Sequence, residues 1–213
     1  MPVIVVANPK GGVGKSTLAT NVAGWYARAG HAVMLGDVDR QQSSRQWLAL
    51  RPGGLPVIRG WEIEDEHRLK PPRGTTHLVI DSPAGLHGRR LDAVLKVAER
   101  LLVPLQPSPF DIQSTHAFVQ AVRAHPRAAA LSVGFVAMRV KEHTHATEHL
   151  QEFLATLGEL PVASLRDTKN YVHLAARGLT LWDVAPSRVE RDLAQWQPLL
   201  RWIRSEYGAL VAE

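Results

Sequence analysis

Seven short apolar runs punctuate the chain, and the apolar residues between them recur at helical spacing. The runs are Val3–Ala7, Ala32–Gly36, Val57–Arg59, His77–Ile80, Arg100–Val103, Val133–Ala137 and Val162–Leu165. Several are apolar at consecutive positions, as strands buried on both faces must be. The stretches Ser16–Ala29, Ser43–Leu50, Arg89–Ala98, Ser114–Ala124, Ala146–Leu157, Lys169–Arg177 and Arg188–Ala209 predict helices. Strand and helix in alternation predict a doubly wound, mostly parallel α/β sheet with helices on both faces, in a single domain over residues 1–213. Ligands of such sheets sit beyond the carboxyl ends of the strands. The residues that follow each run are therefore the ones to read for chemistry.

Two segments need separate reading. Glu62–Gly74 is charged, contains Pro71-Pro72, and reads as a short helix or a surface excursion. In the C-terminal segment Val189, Leu193, Trp196, Leu199, Leu200, Ile203, Tyr207, Leu210 and Val211 fall on one arc at ~100° per residue. Pro198 removes a backbone donor there and predicts a kink. A helix docked on its own sheet is the favoured reading. Arg188, Arg191, Arg201 and Arg204 lie off the arc and are candidates for DNA phosphates. Docking on a membrane surface is the alternative, weakened by Glu190, Asp192, Glu206 and Glu213 on the polar side.

A length of 213 residues suits one sizeable core, and 45% apolar residues suit a soluble globular chain. No apolar run nears the ~20 residues of a membrane span, and the N-terminal run lacks the layout of a signal peptide. A cytoplasmic location with no transmembrane segment is expected. The chain has no cysteine, which excludes disulfides and iron–sulfur clusters ligated by it. Lys and Arg number 25 against 20 Asp and Glu, a net charge of +5 that permits polyanion binding without requiring it.

The first run leads directly into Lys10-Gly11-Gly12-Val13-Gly14-Lys15-Ser16-Thr17, and a helical pattern follows. A strand, a glycine turn and a helix start are the context of a phosphate-binding loop. Glycines let successive N–H groups turn inward on an anion, and the helix adds the positive end of its dipole. Lys15 can reach outer phosphates, and the hydroxyl of Ser16 or Thr17 can hold Mg²⁺. With glycine at about 7% of residues, chance agreement with this string is far below roughly one in a thousand.

Later strand ends add carboxylates. Asp37-Val38-Asp39 places two at i, i+2, pointing the same way. One can orient a water for attack on a γ-phosphate and the other can hold a Mg²⁺-bound water. Asp81-Ser82-Pro83-Ala84-Gly85 ends the fourth run, and Asp81 can also hold Mg²⁺ through water. Prolines 104, 107 and 109 preset a stiff, extended path after the fifth. His145-Ala146-Thr147-Glu148-His149 matches a zinc-protease string, but it lacks a third ligand and reads as a solvated helix face.

With its second lysine at position 10, the loop resembles the deviant Walker A motif of the ParA/MinD family of P-loop ATPases. The chain follows that family's motif order over nearly its whole length and looks most similar to the short ParA-type members. The resemblance implies that Lys10 reaches across an ATP-bound homodimer to the partner's phosphates. It implies that Gly11, Gly12, Val13, Gly14, Lys15, Ser16 and Thr17 bind nucleotide, that Asp39 positions the attacking water, and that Ser16, Asp37 and Asp81 support Mg²⁺. Gly85 resembles the glycine that senses the γ-phosphate. Met138, Arg139 and Arg166 fall in the two loops that flank adenine in the family. Arg40 stands where the family has proline, and Thr168 where many members have arginine.

The implied function is an ATP- and Mg²⁺-dependent ATPase switch. Its ATP-bound dimer grips nucleoid DNA non-specifically, and a cargo-bound partner protein stimulates slow hydrolysis to release it. The cargo can be a plasmid, a chromosome or a large protein body. The alternatives are a MinD-like membrane-associated ATPase and a metabolic ATP-dependent ligase or synthetase on the same scaffold.

Overall fold

A computed structural model describes residues 2–39, 41–63, 69 and 73–205. The elements run β1 (Val3–Val6), α1 (Lys15–Arg28), β2 (Val33–Asp37), α2 (Ser43–Ala49), β3 (Ile58–Trp61), β4 (His77–Asp81), α3 (Gly88–Val97), β5 (Arg100–Leu105), α4 (Pro109–Arg123), β6 (Ser132–Val140), α5 (His145–Thr156), β7 (Pro161–Arg166), α6 (Lys169–Ala175) and α7 (Glu190–Arg204). Each of the seven apolar runs becomes a strand, and each helical stretch becomes a helix. Arg40, much of Glu62–Gly74 and the end of the C-terminal arc, with Tyr207, Leu210 and Val211, lie outside the described residues.

The strands form one sheet in the order β3-β2-β4-β1-β5-β6-β7, and every described pairing is parallel. Successive residues of the central strands feed opposite layers, as a pleated strand requires. Ile4, Val6, Leu35, Val79, Leu102 and Val136 pack on the side of α1 and α7, against Leu18, Val22, Trp196 and Leu199. Val5, Leu78, Ile80, Leu101, Val103 and Phe135 pack on the other, against Leu95, Phe118, Leu150 and Leu154 of α3, α4 and α5. Each large apolar side chain so buried contributes roughly 1.5–3 kcal/mol. The consecutive apolar positions in the sequence are thus the record of two cores sharing one sheet.

Two details differ from the sequence-based expectation. First, α4 starts at Pro109, five residues ahead of Ser114. The prolines do not make one extended path: Pro104 lies inside β5, and Pro109 opens a helix, where a fixed φ and a missing N–H cost nothing. Second, Arg188 belongs to a 3₁₀ turn, Pro186–Arg188, ahead of α7. The C-terminal helix is not split at Pro198: α7 runs through that residue as one helix. Pro198 and Ala194 are both exposed, so the carbonyl that loses its donor faces water.

The apolar arc of α7 docks on the molecule's own sheet. Val189, Trp196, Leu199, Leu200 and Ile203 are buried, and the indole of Trp202 lies over Gly134 in β6. A Cβ at Gly134 would sit 2.9 Å from that ring, so the bare backbone is what lets the helix approach. Trp196 is fully buried, meets Trp182 edge to face at 5.9 Å and donates from Nε1 to the Tyr171 hydroxyl at 2.9 Å. Trp196→Ala is therefore expected to cost about 3–5 kcal/mol in urea unfolding. Val172→Ala, at a 67% exposed position, should leave the midpoint nearly unchanged.

Candidate nucleotide-binding site

Strand register assembles the site. Val6 of β1 pairs with Asp81 of β4, and Asp81 pairs with Asp37 of β2. The three carboxyl ends therefore lie side by side. Asp37 continues the parity of Val33 and Leu35, and Asp81 that of Val79, so both carboxylates emerge on the α1 side. The glycine loop leaves β1 at that point and turns into α1.

Loop geometry follows from its glycines. Gly12 has φ 77° and Gly14 φ 97°, conformations that side chains disfavour. Gly14 is the N-cap of α1, with no side-chain cap and no acidic residue in the first turn. A Cβ there would also come within 2.8 Å of Met138 Cε. The first-turn N–H groups of Lys15, Ser16 and Thr17 have no partner within the helix, which makes this end a place for an anion. Lys15 is buried, and its Nζ donates to Lys10 O at 2.7 Å across the loop. Burial lowers its pKa, against the pull of the Asp81 and Asp39 charges. Lys10 is exposed on the rim.

Two residues outside the motif hold this shape. Asn8 is fully buried; its Nδ2 donates to Pro104 O at 2.9 Å and Thr115 Oγ1 at 3.0 Å, while its Oδ1 accepts from Lys10 N at 2.9 Å. Gln106, just past β5, donates to Gly12 O at 2.7 Å. The loop is thus fastened to the neighbouring strand before any ligand arrives. Gly85 takes φ 68° and donates its N–H to Pro9 O at 2.7 Å, which ties the segment after β4 to the same loop.

The three carboxylates differ in what they hold. Asp37 accepts from the N–H groups of Asp39 (2.9 Å), Ser44 (2.8 Å) and Arg45 (3.1 Å), so it also caps α2. Burial raises its pKa, and those bonds oppose the rise. Asp39 is half-buried and accepts from Gln41 N at 3.0 Å. Asp81 is almost wholly buried, with Oδ2 bound to Ser44 Oγ at 2.6 Å and Oδ1 without a hydrogen-bond partner. Burial pushes its pKa up to about 6, held back by the hydroxyls of Ser16 and Ser44. An orphaned buried carboxylate oxygen beside a helix-start hydroxyl suits the shell of a hard divalent cation. The residues present therefore fit Mg²⁺ bound with a phosphate chain, and Ser16 and Asp81 are the groups that would hold it.

Beyond the loop lies a cavity of about 400 Å³. Its walls bring together Val13, Gly14 and Thr17 with Met138, Arg139 and Arg166. The register of β6 and β7 shifts between Ala137 and Val140, and Arg139 takes φ 52° within the irregularity. Such a break turns a strand end toward a ligand. Arg166 is held from behind: its Nε meets Asp192 Oδ1 at 2.5 Å, and Asn170 Nδ2 meets Asp192 Oδ2 at 2.6 Å. Asp192 is fully buried and was not among the expected site residues. Expected on the polar side of the helix, it instead falls within the apolar arc, three residues after Val189 and four before Trp196, and that spacing was its one legible signal.

The four C-terminal arginines do not share a patch. Arg191 pairs with Glu142 just past β6, near the cavity, and Arg188 is exposed in the preceding turn. Arg204 stacks 5.0 Å over Trp25 and borders the amino ends of the strands with Pro2, His77 and Ser132. Arg201 is exposed one turn earlier. At 1.5 Å per residue, Arg191 and Arg204 are about 20 Å apart along the axis. His145 pairs with Glu148 at 3.1 Å on an exposed face, and no group of three or more metal-ligating side chains occurs among the described residues.

A parallel sheet with a glycine loop feeding a helix start, a buried lysine and a strand-end aspartate defines a P-loop nucleotide-binding protein. The chain matches the CobQ/CobB/MinD/ParA nucleotide binding domain over residues 4–181 and belongs to that family. Maintenance of carboxysome distribution protein A from Gloeobacter kilaueensis is 34% identical over 116 residues, 52% of this chain and 51% of that protein, so the match spans about half of each. The chromosome-partitioning ATPase Soj of Thermus thermophilus is 29% identical over 167 residues, 61% of this chain and 67% of Soj. Among solved structures, apo McdA of Cyanothece has a TM-score of 0.76 at 17% identity, over 94% of this chain and 99% of that one. MinD of Aquifex aeolicus has 0.75 at 16% identity, over 98% and 99%. These two structures share the fold.

Asp81 carries a pH signature. Its carboxyl rises from the usual 3.8 to about 6 on folding, so the folded chain holds the proton more tightly. Its contribution to stability is largest below about pH 4 and declines as pH rises to about 6. In EDTA, wild type should lose roughly 2–3 kcal/mol of unfolding free energy from this group across that window. The Asp81→Asn curve should lack this share of the decline, while Asp37, also raised by burial, keeps its own; a curve identical to wild type would show that the Asp81 carboxyl is not desolvated.

Proposed function

We propose that the protein is a nucleotide-switched ATPase of the ParA/MinD type, which pairs with a second copy when ATP is bound and positions a cargo. The observation that carries this reading is the division of labour between its two loop lysines. Lys15 is buried and turned into the loop, while Lys10, five residues earlier, is exposed at its rim. A phosphate tail needs one internal cation and the α1 N–H groups, and a second, outward lysine serves a neighbouring copy.

In this account Gly11–Thr17 cradle the phosphates through backbone N–H groups, and Lys15 neutralises the outer ones. Mg²⁺, when bound, supplies Lewis-acid stabilisation of charge on the phosphates. Asp39 lies close enough for its charge to act on Lys15 and is the carboxylate that orients the attacking water. Met138, Arg139 and Arg166 border the base. Contacts to the γ-phosphate favour one dimer geometry, and hydrolysis removes that preference. The names of the Gloeobacter and Thermus relatives support a positioning role. The cargo is a plasmid, a chromosome or a large protein body, and a cargo-bound partner protein stimulates the slow hydrolysis. The dimer holds nucleoid DNA non-specifically, with Arg201 and Arg204 as its phosphate contacts.

Light scattering with ATP, ADP or no nucleotide tests the pairing. Wild type should double in mass with ATP alone. Lys10→Ala should stay monomeric while still binding nucleotide, and a Lys10→Ala dimer indistinguishable from wild type would contradict the outward lysine's role. Arg201→Glu with Arg204→Glu should reduce DNA retention and flatten its salt dependence; an unaltered salt slope would place the DNA contact elsewhere.

A further inference from the structure

One buried hydroxyl is unused by the helix that carries it. Ser44 is the second residue of α2 and is fully buried. Serine at a helix start commonly bonds its own first turn. Here the hydroxyl crosses to another strand instead and donates to Asp81 Oδ2 at 2.6 Å, the length of a charge-assisted bond. The Ser44 N–H donates to Asp37 Oδ2 at 2.8 Å. One residue therefore joins the carboxylates that end β2 and β4. It leaves Asp81 Oδ1 as the oxygen with no partner.

We propose that Ser44 is a positioning residue for the Mg²⁺ of a bound nucleotide: it fixes the rotation of the Asp81 carboxylate and locks it to the amino end of α2. The inference rests on the nucleotide-site reading above and deepens it. A carboxylate with both oxygens loose rotates about χ2, and ordering it then costs affinity. Tying one oxygen removes that cost and presents the other in a single orientation. Outer-shell bonds of this kind typically change metal affinity by about 10–100-fold. Because Asp37 anchors the same turn through Ser44 N and Arg45 N, the carboxylate's orientation is also tied to where α2 sits. Ser43, one position earlier and exposed, has no such route.

The test uses a fluorescent ADP analogue titrated in EDTA and again in excess Mg²⁺, with thermal melting alongside. For wild type and Ser43→Ala, Mg²⁺ should tighten binding. For Ser44→Ala, roughly tenfold of that tightening should be lost, while affinity in EDTA stays that of wild type. A purely structural hydroxyl would lower the melting temperature and weaken binding equally in both buffers, which would overturn the proposal. So would full Mg²⁺ tightening in Ser44→Ala. If wild type itself shows nucleotide binding but no Mg²⁺ effect, the assignment of Asp81 to the metal falls, and Ser44 with it. Absence of nucleotide binding in EDTA and Mg²⁺ alike would instead overturn the phosphate-loop reading.

Discussion

An uncapped helix amino end, held at the edge of a buried strand, is the constraint on which the site depends. The first turn of α1 presents N–H groups that neither its own helix nor a side-chain cap satisfies. Two left-handed glycines bend the chain so that Lys15 lies inside the turn. The arrangement is tolerable because Asn8 and Gln106 fasten the loop to β5 and its exit, so the curl is built in advance. An anion entering this loop meets donors that are already aimed and loses little by ordering them.

Negative groups are grouped just beside that positive end, and their spacing follows from sheet register. Asp37 and Asp81 face each other because β2 and β4 pair in parallel at those residues. Desolvation raises both, so the cluster is under electrostatic tension that a bound divalent cation would relieve. Asp37 lowers its own cost by capping α2, and Asp81 leans on Ser44. Charge in this corner is thus shared among two strands and a helix, and both carboxylates are tied to the start of α2.

Much of this was legible in the sequence for physical reasons. Short apolar runs alternating with helical patterns fit strands covered on both faces, so β1, β4 and β5 were readable along with their parallel sense. The glycine loop was readable because three glycines and two lysines at that spacing have few other uses. What escaped were polar residues whose partners are distant in sequence. Asn8 meets Thr115, Ser44 meets Asp81, and Asp192 meets Arg166, contacts that no local pattern encodes. The start of α4 escaped because Pro109 serves equally in an extended path or at a first helical turn, and only packing decides. The arc of α7 was readable, whereas the separation of its arginines to opposite ends of the sheet required the fold.

The central claim is that Lys10–Thr17 forms a triphosphate grip. Titration calorimetry of the wild-type chain with ATP in Mg²⁺ measures it most directly. The account predicts one saturable site per chain that is lost in Lys15→Ala, with a melting curve run alongside to verify that the variant folds. No heat for wild type, or undiminished affinity in Lys15→Ala, would contradict it.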